Sequence, residues 1–138
     1  MITLHDLNSH ADLVIQLNTA RQMLAAFQSA VLRASSIDGM PHAPSAGNGK
    51  VEALAIKLSD LEEDVKRREA AVKRSEPEIK AFISSIQDPR LSSIFYLRFI
   101  CGYEWFDVAV TIGGRNSVEG VKSACYRYLR MKSDISDT

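Results

Sequence analysis

At 138 residues and 46% hydrophobic content, the chain can build one core, alone or with an extended element attached. Seventeen Lys and Arg balance seventeen Asp and Glu, so the chain as a whole exerts no long-range pull on nucleic acid or anionic lipid. No apolar run reaches the roughly 18 residues that cross a bilayer, since Arg98 interrupts the longest candidate near Ile94 to Ile100.

Met1 to Ala20 carries His5, Asp6, His10 and Asp12 where a signal peptide would be apolar, and a cytoplasmic protein is expected. Thr3 with Asp6 three residues on is a variant capping box, and the run that follows has neither Gly nor Pro to about Ala34. Within this predicted first helix Leu13, Leu17, Ala20, Leu24, Phe27 and Val31 recur at spacings of four and three, one stripe that needs a partner helix.

Ser35 to Gly49 contains Gly39, Pro41, Pro44, Gly47 and Gly49 and reads as a loop. Its ending, Gly47-Asn48-Gly49-Lys50, is not a phosphate-binding loop: Pro44 stands where that motif needs Gly, and Val51 where it needs the magnesium-binding hydroxyl.

From Val51 an apolar heptad series runs through Leu58, Val65, Val72, Ile79 and Ile86, with Leu54, Leu61 and Phe82 between. It predicts a left-handed helical pairing, either with the first helix as an antiparallel hairpin or with a second chain, so that residues 51–86 would join a homo-oligomer. The charged clusters Asp60 to Asp64 and Lys66 to Arg74 read as a solvated face with pairs such as Glu62 to Lys66 and Glu63 to Arg67; a phosphate-contacting patch at 66–74 is the other reading. Pro77 predicts a kink or brief break, with Ser75 capping a near-coaxial continuation, and hence a hinge.

Asp88-Pro89 starts a further helix that Gly102 stops, and a short element follows from about Trp105 to Ile112. Gly113 and Gly114 make a turn, and Asn116, with Glu119 three residues later, is the expected cap of a last helix to about Met131. Residues 133–138 are expected to form a disordered tail. On the last helix Val121, Ala124, Cys125 and Tyr128 share one face, and Glu119, Lys122, Ser123, Arg127 and Arg130 the other. From 115 to 132, Arg115, Lys122, Arg127, Arg130 and Lys132 face Glu119 alone, a local charge of +4. A short helix, a glycine turn and a longer helix with a locally basic face is the helix-turn-helix plan.

Catalysis is not expected. His5, His10 and His42 lack metal-pair spacing, Cys101 and Cys125 form no Cys-x-x-Cys, and Glu62-Glu63-Asp64 converges on nothing. The cysteines read as small buried hydrophobes and Trp105 as a core residue, while Arg98 is expected to pair with a carboxylate such as Asp107. No metal or cofactor is implied.

Leu97-Arg98-Phe99-Ile100-Cys101-Gly102-Tyr103-Glu104-Trp105, with Val108-Ala109 behind it, resembles the approach to the helix-turn-helix of sigma-factor region 4. Most of the chain is similar to the sigma-70 region 4-like regulators of phages and prophages of Gram-positive bacteria, the RinA and ArpU type group. The similarity rests on Gly39-Met40-Pro41, Lys50-Val51-Glu52, Gly113-Gly114-Arg115-Asn116-Ser117 and Tyr126-Arg127-Tyr128-Leu129. It implies an all-α protein in which a long helical coiled-coil arm (residues 1–86, a helical hairpin) precedes a sigma region 4-like helix-turn-helix head (residues 87–132). It further implies transcriptional regulation of phage or prophage genes, double-stranded DNA as partner and contact with RNA polymerase. Arg115, Asn116, Ser117, Val118, Glu119, Lys122, Ser123, Arg127 and Arg130 are the residues expected at the DNA, with the recognition helix at about 117–131. The alternative is an interaction module that binds RNA polymerase or another regulator through arm and head without reading DNA.

Overall fold

A computed structural model describes residues 2–36 and 48–136. They form five helices and no strand: α1 Leu4–Ser36, α2 Asn48–Ser84, α3 Pro89–Phe95 with a π turn over Tyr96–Ile100, α4 Trp105–Ile112 and α5 Val118–Ser136. The all-α class expected from the periodicities is the one observed, and no helix among the described residues is long and apolar enough to cross a membrane.

The helix starts follow local chemistry. Asp6 Oδ2 accepts from the Thr3 amide at 2.9 Å while Thr3 Oγ1 accepts from the Asp6 amide at 3.2 Å, a reciprocal cap that satisfies donors a helix start otherwise leaves open. The Thr3 amide, together with the Thr3 hydroxyl that lies 3.0 Å from Asp6 Oδ2, holds the Asp6 carboxyl below its usual range. At α3 the Asp88 carboxylate accepts from the amides of Arg90 and Leu91, and Pro89 takes the first position, where an N–H would be idle anyway. The π turn closes through the Cys101 amide on the Tyr96 carbonyl (3.1 Å), and the Tyr103 amide reaches the Leu97 carbonyl at 3.0 Å.

Three expectations are corrected. Residues 35–36 and 48–49 of the expected loop belong to α1 and α2; residues 37–47, with His42 and the Gly39-Met40-Pro41 motif, lie outside the described residues. Helix α5 runs on to Ser136, so 133–136 are helical, and 137–138 lie outside the described residues. Pro77 does not break α2, which is assigned as one helix from Asn48 to Ser84. Its ring is solvent-exposed, so water can meet the Lys73 carbonyl that loses its donor. Ser75, far from capping a new helix, donates weakly to the Val72 carbonyl.

The chain divides into two compact units, Met1–Ile15 with Ala71–Thr138, and Gln16–Ala70. These units do not divide after residue 86, because the core of the first one includes the start of α1 and the end of α2. Leu7 and Ala11 of α1 and Ile79, Ile83 and Ile86 are buried in one cluster with Ile94, Phe95, Phe99, Val108, Ala109, Val121 and Cys125. Burial pushes the Cys125 thiol up to about 12, so this cysteine is an inert hydrophobe.

Within the second unit α1 and α2 run antiparallel, since partners descend α2 as they ascend α1: Gln16 accepts from Arg68 (2.9 Å), and Lys57 lies 5.5 Å from the Phe27 ring centre. Leu17, Ala20 and Val65 are buried here, with Leu24, Phe27, Leu54, Leu58 and Leu61 half-buried. Asp64, rather than Glu63, takes Arg67 (3.2 Å), and it also takes Arg68 (3.0 Å). Arg21 meets Glu69 at 3.0 Å. These ion pairs are open to solvent and contribute little each.

One buried polar group stands out in the first unit. His10 is 1% exposed, its Nδ1 is hydrogen-bonded to Ser75 Oγ at 2.5 Å, and its Nε2 is buried without a partner among the described residues. Burial lowers its pKa below the ordinary 6.5, opposed in part by the nearby Glu76 charge. The unfolded state therefore binds the proton more readily than the folded state does. The stability this neutral histidine contributes is complete above the unfolded value of about 6.5 and is lost as pH falls below it. The thermal midpoint of the wild type should drop between pH 7 and pH 5 by more than that of His10→Gln, as read by circular dichroism; parallel curves would refute the buried neutral histidine.

Candidate functional site

Helix α4 is short because Gly113 ends it: its amide bonds the Ala109 carbonyl at 3.1 Å and its φ is +76°. Gly114 follows at φ +70°. Two successive residues in the left-handed region are a geometry only glycine enters cheaply, and they reverse the chain towards α5. The sequence leaves the choice of glycine open; both take the conformation.

The cap of α5 is Ser117 and not Asn116. Ser117 Oγ accepts from the Gly120 amide at 3.0 Å, and the Ser117 carbonyl accepts from the Val121 amide at 3.1 Å. Asn116 is thereby released to the turn, where its Nδ2 donates to the Gly113 carbonyl at 2.6 Å and its Oδ1 accepts from Arg90 Nη2. A Cβ on Gly120 would stand 3.1 Å from Ser117 Oγ, so the absence of a side chain there leaves the cap room.

Helix α5 is amphipathic. Val121 and Cys125 are fully buried, and Val118, Tyr128 and Leu129 pack against the core. Tyr128 meets the Phe82 and Phe95 rings edge-on at 6.2 and 5.8 Å. Opposite them Glu119, Gly120, Ser123, Tyr126, Arg127 and Arg130 are exposed, and Arg115 is exposed in the preceding turn. At 100° per residue Glu119, Ser123, Arg127 and Arg130 fall on one stripe.

Of the nine residues singled out in the sequence, Arg115 is exposed in the turn before α5, and Glu119, Ser123, Arg127 and Arg130 thus share one exposed surface. Lys122 is half-buried at its edge. Val118 does not belong to it, because its place one turn before Val121 turns it to the core. Asn116 and Ser117 have their side chains committed to the turn and the cap. Arg130 also lines, with Ile2, Leu4 and Leu129, a groove of about 540 Å³ beside the first turn of α1.

Two further residues belong to the neighbourhood. Tyr126 is 37% exposed while its ring lies 6.1 Å from that of Trp105. Arg90 lies twenty-six positions before Asn116, and no local pattern marks it. Arg98 corrects another expectation: its Nη1 donates to the Tyr103 carbonyl at 3.0 Å and its guanidinium lies 4.9 Å from the Trp105 ring centre. A backbone carbonyl and an aromatic face take the place expected of Asp107. No group of three or more metal-ligating side chains occurs among the described residues.

Ser117→Ala should cost about 1 kcal/mol through the lost cap, visible as a lower thermal midpoint, and Ser117→Asp should retain most of it; equal midpoints for wild type and alanine variant would place the start of α5 elsewhere. Comparison with known protein families, curated proteins and solved structures finds no match to this chain.

Proposed function

We propose that the chain is a DNA-binding transcriptional regulator of the phage and prophage sigma-70 region 4-like group, in which α4, the glycine turn and α5 act as a helix-turn-helix. The reading rests on one observation: behind a two-glycine turn, a 19-residue helix packs one face against the core through the fully buried Val121 and Cys125 and exposes a polar, net-basic opposite face. A helix of that kind fits the major groove of double-stranded DNA. Glu119 and Ser123 reach base edges from the first turns, and Gly120 beside them lets the helix backbone come close. Arg127, Arg130 and Arg115 neutralise phosphates, and Lys122 does so from the edge. A field this local gives one head modest, salt-sensitive affinity, so two linked heads gain by effective concentration.

Linkage falls to the arm, read as a coiled-coil hairpin. Its inner seam is occupied within the chain, and what residues 51–86 still offer a second copy is apolar surface such as Val51 (64% exposed) and Ile56 (63% exposed). Sedimentation should show a dimer at tens of micromolar for the wild type and a monomer for Ile56→Glu; a monomeric wild type removes the homo-oligomer.

A second reading is favoured by the outer face of α4, where Phe106 (65% exposed) and Val110 (63% exposed) sit one turn apart. Exposed apolar pairs of this kind mark protein contacts, and a partner such as RNA polymerase or another regulator would cover them.

Selection from random duplexes separates the two. The wild type should enrich one sequence. Glu119→Ala should alter preference at single positions at a cost of about 1–3 kcal/mol on the best site. Arg127→Ala should weaken all duplexes alike and lower the salt slope by about one. No enrichment, with no salt-dependent retention on random DNA, would leave only the protein-contact reading.

A further inference from the structure

We infer that Arg90, outside the helix pair, is a positioning residue that braces the glycine turn and so sets the start of α5; its consequence for DNA selectivity rests on the reading proposed above. The argument begins with Asn116. Its amide has both ends committed, with Nδ2 donating to the Gly113 carbonyl at 2.6 Å and Oδ1 accepting from Arg90 Nη2. A flipped amide would set oxygen against the carbonyl and NH2 against the guanidinium, so the two partners fix one orientation between them. Arg90 can serve as an anchor because its own backbone is held: its amide donates to Asp88 Oδ1 at 3.0 Å, and α3 is pinned through the fully buried Ile94 and Phe95.

The chain of contacts therefore runs from the Asp88 cap through Arg90 and Asn116 to the Gly113 carbonyl. It ends on the freest backbone in the head. Two adjacent glycines at positive φ lose more conformational entropy on ordering than any other pair, and α5 begins four residues after the second of them. The hydrogen bond from a guanidinium is charge-assisted and stronger than a neutral one, so its loss releases the turn more than loss of an ordinary surface contact would. Arg90 is exposed, which leaves its replacement compatible with the fold.

The test uses the full chain, a fluorescent duplex carrying the sequence the wild type selects, and a random duplex of equal length, titrated from 50 to 200 mM salt, in parallel with amide hydrogen exchange. Arg90→Ala should lower the ratio of selected to random affinity by about tenfold, leave the salt slope unchanged, and speed exchange from Gly113 to Val121. Arg90→Lys, which keeps one donor and the charge, should recover part of the ratio, and Arg90→Ala should add nothing in an Asn116→Ala background. A salt slope lowered by about one with the ratio intact would make Arg90 a phosphate contact and overturn the brace. Unchanged exchange across the turn overturns it as well. A wild type that selects no sequence refutes the DNA reading instead, and exchange in Arg90→Ala then decides the brace alone.

Discussion

Phe95 is the contact on which the first unit depends. It is fully buried, and its ring lies 5.7 Å from Phe82 of α2, 5.6 Å from Phe99 and 5.8 Å from Tyr128 of α5. One side chain thus joins the end of α2, the π turn and the last helix. Each such ring pair contributes about 0.5–1.5 kcal/mol beyond the area it buries. The exposed face of α5 is an indirect product of this cluster. With Tyr128 against the rings and Val121 and Cys125 buried in the same cluster, one face of the helix is committed to the core, and Glu119, Ser123, Arg127 and Arg130 are turned outward together.

The same core explains why both long helices contribute to two units. Leu7, Ala11, Ile79 and Ile83 belong with the aromatic cluster, while Leu17, Ala20 and Val65 belong to the antiparallel pair of the second unit. Each unit thus takes one stretch of α1. His10 lies in the first of these stretches and is its one buried polar side chain among the described residues. Burying an imidazole with a single hydrogen bond costs stability that an apolar residue would not, so its neighbourhood holds together on the packing of Leu7, Ala11 and Ile79.

Much of the fold was legible because its signals are local or periodic. Thr3 with Asp6, and Asp88 with Pro89, announce helix starts through bonds that span three residues. The stripe from Leu13 to Val31 announces a buried face through spacing alone. The readings that failed concern choices between neighbours that only tertiary structure makes. Asn116 and Ser117 are both good caps in sequence. Ser117 takes the role because Asn116 has a carbonyl and a guanidinium to serve. Val118 looks available at the start of α5 until the helix phase, set by Val121 and Cys125, turns it inward. Pro77 carries a helix-interior cost that predicts a kink or a brief break, and the break does not occur. On an exposed face water offsets part of that cost, and the packing of Ile79 and Ile83 immediately beyond holds the helix together.

The candidate site was legible in outline for a related reason. An exposed polar face is what remains when a helix has buried its other side, so the apolar period of 121, 125 and 128 located Glu119, Ser123, Arg127 and Arg130 by exclusion. The positioning of that face is a different kind of information. The glycines at 113 and 114 could be read as a turn, but their freedom means that the turn's shape is set by what grips it, and the grip comes from Arg90, at the start of another helix. Distance along the chain hides such a residue from any local pattern. Where flexible backbone carries a surface that must be presented at one angle, the residues that specify the angle belong to the rigid neighbour, because a glycine pair supplies reach and no preference of its own.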